Sequence, residues 1–178
     1  MNNKTIEIIN IEDDLESLAV RSTLEYLGFN VNLHFIAKSS DLVNLLNGSK
    51  HLSPNILIMC HGTDHGIILP ELTNEIAKDQ PYNQILTPDN LSDFLKLNQS
   101  IVVNTGCSTG TQAFAQTFLN NGAQVYIAPN DYPEGSSSLL FVINFYYFLS
   151  IKNKSPQEST KLASLIDTDI AMFQYFDK

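Results

Sequence analysis

Ile56-Leu57-Ile58-Met59-Cys60-His61-Gly62 is the stretch that decides the fold. Pro54-Asn55 punctuates its entry and His61-Gly62 ends it. A near-continuous apolar run of this length is how a strand buried on both faces reads, and such strands belong to parallel sheets covered by helices. Working outward, 100–103 is a second apolar run, ending at Asn104-Thr105-Gly106-Cys107, and 124–128 is another. Thr5 to Ile11 is a β-prone run that stops at Glu12-Asp13-Asp14. In 30–37, Val31, Leu33 and Phe35 alternate with polar residues, which predicts one more strand.

The segments between these runs read as helices. Leu15, Leu18, Ala19, Leu24 and Leu27 recur at roughly helical spacing before Gly28, and Asp13 and Asp14 suit helix-start acids. Ser39-Ser40-Asp41 caps a helix through Leu46, and Thr87-Pro88 supplies an N-cap and N1 proline for 88–97. Helices are also predicted over 111–119, 138–150 and 156–166, with a last one reaching Phe176. Gly66 to Pro70 reads as one arm of a small hairpin, and 71–86 is too polar to assign. Strands alternating with helices predict an α/β fold. The expected form is a three-layer α/β/α sandwich with a mostly parallel sheet of about five strands, in one domain spanning 1–178.

Charge narrows the function classes. The 178 residues carry 19 acids against 10 bases, a formal net charge of −9, and the only arginine is Arg21. Nucleic-acid binding needs clustered positive charge to meet phosphate, and docking on anionic membranes needs the same, so neither is expected. The N-terminus lacks the apolar run of a signal peptide, and 139–149 is about half the length that spans a bilayer. Two cysteines, Cys60 and Cys107, with no zinc-ligand spacing, predict free thiols, no metal site and a cytoplasmic setting.

Chemistry in an open parallel sheet gathers at the carboxyl ends of strands. His61 follows one predicted strand and Cys107 the next, 46 positions later. If those strands are neighbours, an imidazole and a thiol share one crevice, the requirement for a Cys–His nucleophilic site. Gly62 permits close backbone approach, and Gly106 and Gly110 flank the turn around Cys107. The N-terminus of the following helix is expected to lower the thiol pKa. A lone Cys after a strand is more often a small core residue. Cys60, inside its apolar run, reads that way. His34 and His51 read as surface residues, and His65 as either a substrate contact or an exposed side chain.

These blocks resemble the caspase-like cysteine peptidases of the caspase–hemoglobinase fold (clan CD). The resemblance rests on 56–62 followed by Gly66-Ile67-Ile68, and on Ile101-Val102-Val103-Asn104-Thr105-Gly106-Cys107-Ser108-Thr109-Gly110. The His-to-Cys spacing is near the roughly 50 residues of caspases. The Cys-x-Thr-Gly form, Ile127 to Asp131, and Phe145-Tyr146-Tyr147 are nearest to the CHAT branch. The resemblance implies a caspase-like catalytic domain acting on a peptide or protein substrate without a cofactor. It implies His61 as general acid–base, Cys107 as nucleophile, and the Gly62 and Cys107 N–H groups as the oxyanion hole. Caspases hold an aspartate P1 side chain with arginines, which this chain lacks near its strand ends. A basic or neutral P1 is expected instead, with Asp64, His65 and Asp131 as candidate substrate contacts. Two alternatives stand beside this. One is an inactive interaction module on the same fold, pairing with itself or a partner through the sheet edge or helix 139–149. The other is a receiver-like signalling domain, suggested by Glu12-Asp13-Asp14 and Gly28-Phe29, although Cys60-His61 stand where a phospho-accepting Asp is needed.

Overall fold

The computed structural model describes residues 4–178. Its central sheet has six strands: β1 (Thr5–Ile11), β2 (Asn30–Phe35), β3 (Asn55–Cys60), β7 (Ser100–Asn104), β8 (Ala123–Pro129) and β9 (Phe173–Asp177). A small antiparallel sheet, β4 (Gly62–Thr63), β5 (Gly66–Ile68) and β6 (Ile85–Leu86), sits beyond the end of β3. The helices are α1 (Asp14–Tyr26), α2 (Ser39–Leu46), α3 (Asn74–Ala77), α4 (Pro88–Phe94), α5 (Gln112–Asn120), α6 (Gly135–Tyr146) and α7 (Pro156–Ala163). Strand order in the large sheet is β2-β1-β3-β7-β8-β9. The first five strands are parallel and β9 runs antiparallel to β8.

Period-two alternation of the buried strands builds the three layers. Ile56, Ile58 and Cys60 face a core closed by Leu42, Leu46, Leu91, Phe94, Phe114 and Phe118 from α2, α4 and α5. Leu57 and Met59 face the opposite core, closed by Val20, Leu24, Phe141, Phe145, Tyr146 and Ala163 from α1, α6 and α7. Because both faces are covered, polar residues have no place inside β3, and its sequence reads as an unbroken apolar run. Helix starts follow the expected chemistry. Thr87 with Asn90, and Ser155 with Glu158, form capping boxes ahead of Pro88 and Pro156.

Four expectations change. The α1 stripe is narrower than the leucine spacing suggests. Ser17, Val20 and Leu24, separated by three and four, form the buried face, whereas Leu15 and Leu18 lie off it at 84% and 46% exposure. The last segment is not a helix to Phe176. A 3-10 turn at Ile170–Met172 leads into β9, because the aromatic run Phe173-Gln174-Tyr175-Phe176 pairs with the open edge of β8. α7 stops at Ala163, and Leu165 and Ile166 lie exposed beyond it. His34 is not a free surface residue. Its Nε2 lies 2.8 Å from Oε2 of Glu7, which is buried in the middle of β1. Asn32 Nδ2 and the Ser53 N–H also donate to Glu7. Burial pushes the Glu7 carboxyl up, but the hydrogen bonds from His34, Ser53 and Asn32 outweigh it and hold the pKa below its ordinary value.

The apolar segment 139–149 is mostly α6, packed on the sheet between α1 and α7, and it passes into a π-helical turn at Tyr147–Ile151. Among the described residues no helix is long and apolar enough to cross a membrane.

Candidate active site

β3 and β7 are parallel neighbours, with Ile58 opposite Asn104. That register delivers Cys60-His61 and Gly106-Cys107 to the same level at the carboxyl edge of the sheet. Main-chain bonds continue the pairing past the strands, since the Thr105 N–H donates to Ile58 O at 2.9 Å. Thr105 Oγ1 in turn accepts from the Cys60 N–H. The fully buried Asn104 shapes the next turn: its Oδ1 accepts from the Gly106 N–H at 2.9 Å and from Cys60 Sγ at 3.2 Å, and its Nδ2 donates to Tyr126 OH. Thr109 Oγ1 donates to Gly106 O at 2.6 Å, and Tyr126 OH donates to Thr109 O. These bonds satisfy the turn's buried polar groups from within, which fixes its shape.

Two glycines are required by contact. A Cβ on Gly62 would lie 2.4 Å from Cys107 O and 2.9 Å from Cys107 N, so the loop after His61 rests directly on the Cys107 backbone. A Cβ on Gly110 would lie 2.4 Å from Ala128 O, where the turn lies against β8.

His61, which is exposed, and Cys107, which is half-buried, line one cleft of about 140 Å³. Cys60 and Thr105 form part of its wall, Pro133 and Gly135 another, and Asp13 and Glu16 at the start of α1 face in from the β1 side. No hydrogen bond joins the His61 ring to the Cys107 sulfur among the described residues. Among them, too, no group of three or more His, Cys, Asp or Glu side chains is placed to hold a metal ion.

The electrostatics differ from the sequence expectation. Burial raises the Cys107 thiol pKa; the residue's own N–H lowers it, and the charges of Glu16 and Asp131 raise it further. The expected lowering by a helix dipole fails because α5 begins at Gln112, behind the Thr111 cap, and the dipole's influence falls off within the first turn. Cys60 is buried, and burial pushes its thiol far above the ordinary value, as suits a core thiol. Glu16 is raised to about 7, by burial first and then by the charge and hydrogen bond of Asp13. Asp13 makes no side-chain cap bond to α1, contrary to its reading as a capping acid.

The candidate substrate contacts fall outside the cleft wall. Asp64 is exposed and takes hydrogen bonds from Ser108 Oγ and Tyr132 OH. His65 is exposed. Asp131 is exposed, its main-chain oxygen accepts from the Ser108 N–H, and its charge reaches Cys107 through space. The acids that do line the cleft, Asp13 and Glu16, are the residues sequence reasoning missed. They become visible only when β1 is known to lie beside β3.

No protein-family model matches the sequence, and no curated protein matches it. Among solved structures, the fold resembles a chain of the Saccharomyces cerevisiae separase–securin complex, with a TM-score of 0.63 at 10% identity. It also resembles the Arg-specific cysteine proteinase gingipain R, with a TM-score of 0.62 at 10% identity. The alignments cover 97% and 98% of this chain, but only 11% and 46% of the other two. The chain thus spans a small part of the first and less than half of the second. At this identity the likeness concerns the fold, which is the caspase-like α/β/α sandwich.

Proposed function

We propose that this chain is a cysteine endopeptidase domain in which Cys107 is the nucleophile and His61 the general acid–base. One observation carries the reading: two neighbouring parallel strands bring His61 and Cys107 into one cleft, with Gly62 pressed onto the Cys107 backbone. The raised thiol pKa means that Cys107 rests as S–H. His61 accepts that proton as the sulfur attacks the scissile carbonyl carbon. The N–H groups of Gly62 and Cys107 hold the oxyanion. His61 returns the proton to the departing amine, leaving a thioester on Cys107. A water molecule deprotonated by His61 then hydrolyses that thioester.

The pair Asp13 and Glu16 supports a basic P1. A lysine or arginine side chain entering the cleft meets two carboxyl groups and, among the described residues, no lysine or arginine of this chain. Gingipain R, similar in fold, is Arg-specific by its own description. The Cys-x-Thr-Gly turn favours the CHAT branch, and two free cysteines suit a reducing, cytoplasmic compartment. A positional peptide library read with wild type and Cys107→Ala tests the proposal. Cleavage after Lys or Arg by wild type alone is expected, and equal turnover by both proteins overturns it.

A second reading, a non-catalytic interaction module on the same fold, draws on the raised thiol and the unjoined His61. It requires Cys107 alkylation by iodoacetamide to show the same pH profile in wild type and in His61→Ala.

A further inference from the structure

Three loops meet at the rim of the cleft, and one carboxylate ties them. The turn between β4 and β5 carries Asp64, the turn after β7 carries Ser108, and the loop after β8 carries Tyr132. Ser108 Oγ donates to Asp64 Oδ1 at 2.7 Å, and Tyr132 OH donates to the same oxygen at 2.9 Å. The Asp64 N–H lies 3.2 Å from the Tyr132 hydroxyl oxygen, and the Ser108 N–H donates to Asp131 O at 3.0 Å. The bonds from Ser108 and then Tyr132 hold the Asp64 carboxyl below its ordinary pKa, so it is ionised and acts purely as an acceptor at neutral pH.

Ser108 directly follows Cys107 and sits at φ +58, in the left-handed region that side chains other than glycine rarely adopt. Released from its partners, it relaxes toward negative φ and swings the peptide plane between 107 and 108. That plane carries the Cys107 carbonyl, the atom on which Gly62 rests. We propose that Asp64 is a positioning residue for Cys107: by holding Ser108 and Tyr132 together it fixes the backbone that aims the Cys107 sulfur and N–H into the cleft. The proposal deepens the cysteine-peptidase reading and rests on it.

The substitutions separate charge from hydrogen bonding. Asp64→Asn removes the charge but keeps an acceptor oxygen, Asp64→Ala removes both, and Ser108→Ala removes a donor and leaves the charge. Asp64→Ala and Ser108→Ala are each expected to lower kcat about tenfold or more, with KM near wild type, as misplacement of a reacting group does. The double variant falls no further than Asp64→Ala alone, because the Ser108 hydroxyl acts through Asp64. Asp64→Asn retains most of the rate. Unchanged kcat in both alanine variants overturns the proposal. So do additive losses, losses confined to KM, or equal damage by Asn and Ala with Ser108→Ala intact. Backbone amide exchange over 106–110 reads the tie without turnover: it speeds up in both alanine variants, and unchanged exchange overturns the proposal. A wild type that cleaves no peptide while exchange responds as expected overturns the peptidase reading alone.

Discussion

Replacing Gly62 with alanine places a methyl group 2.4 Å from the carbonyl oxygen of Cys107 and 2.9 Å from its nitrogen. Ordinary contact begins near 3.4 Å, so about 1 Å of movement is required. No flexible side chain can absorb it, because the three nearest atoms, Cys107 O, Cys107 N and Gly106 C, are all backbone. Gly62 does not have a positive φ, so the substitution carries no conformational strain of its own and the effect is steric. Overpacking of this kind costs about 1–3 kcal/mol. In a chain of this size that lowers Tm by roughly 2–12 °C. The larger consequence is at the site, where a shift of the Cys107 backbone by ~1 Å is expected to cut kcat/KM about a hundredfold. Melting by circular dichroism and turnover of the best library peptide measure the two effects side by side. Full activity with an unchanged Tm refutes the claim that the His61 loop bears on the nucleophile's backbone.

Other perturbations reach different parts of the molecule. Glu16, raised to about 7, holds a proton in the folded state that the unfolded chain has already lost. Stability therefore falls as pH rises from the ordinary carboxyl value through 7, and Glu16→Gln removes that slope in Tm-versus-pH curves. The same ionisation lowers KM for Arg-P1 peptides as pH rises through 7 in wild type, and the dependence disappears in Glu16→Gln. Glu7 has the opposite sign. Its depressed pKa adds stability that is present above the unfolded carboxyl value and lost as pH falls through the folded one. Glu7→Ala strands the Asn32 and Ser53 donors and costs about 3 kcal/mol by urea denaturation at pH 7. Phe145 is fully buried, with its ring 5.1 Å from Tyr146 and 6.0 Å from Phe141, and Phe145→Ala costs about 3–5 kcal/mol in the same assay.

What the sequence revealed, and what it hid, follows from how local each feature is. The run 56–60 was legible because a strand covered on both faces leaves room only for apolar side chains. His61 and Cys107 were legible as strand-end residues because each closes such a run. The face of α1 was misjudged because leucines also occupy its exposed side, and counting apolar residues does not fix the helix's rotation about its axis. β9 was misread because four aromatic-rich residues are too few to set a period, and only the free edge of β8 makes them a strand. Asp13 and Glu16 were hidden because their approach to Cys107 depends on β1 lying beside β3, which is a property of sheet order. The raised thiol was hidden because it comes from burial and then from the charges of Glu16 and Asp131, all of them products of tertiary packing. Asn104 carried a usable signal, a polar side chain at the end of a buried strand, which must find partners on both its oxygen and its nitrogen.

In the proposed reaction Cys107 attacks carbonyl carbon with the help of His61. A peptidyl electrophile with arginine at the reacting position, followed by intact-mass and peptide-mapping mass spectrometry, tests it most directly. One adduct is expected, on Cys107 and not Cys60, forming much more slowly in His61→Ala than in wild type. An adduct on neither thiol, or equal rates in wild type and His61→Ala, contradicts it.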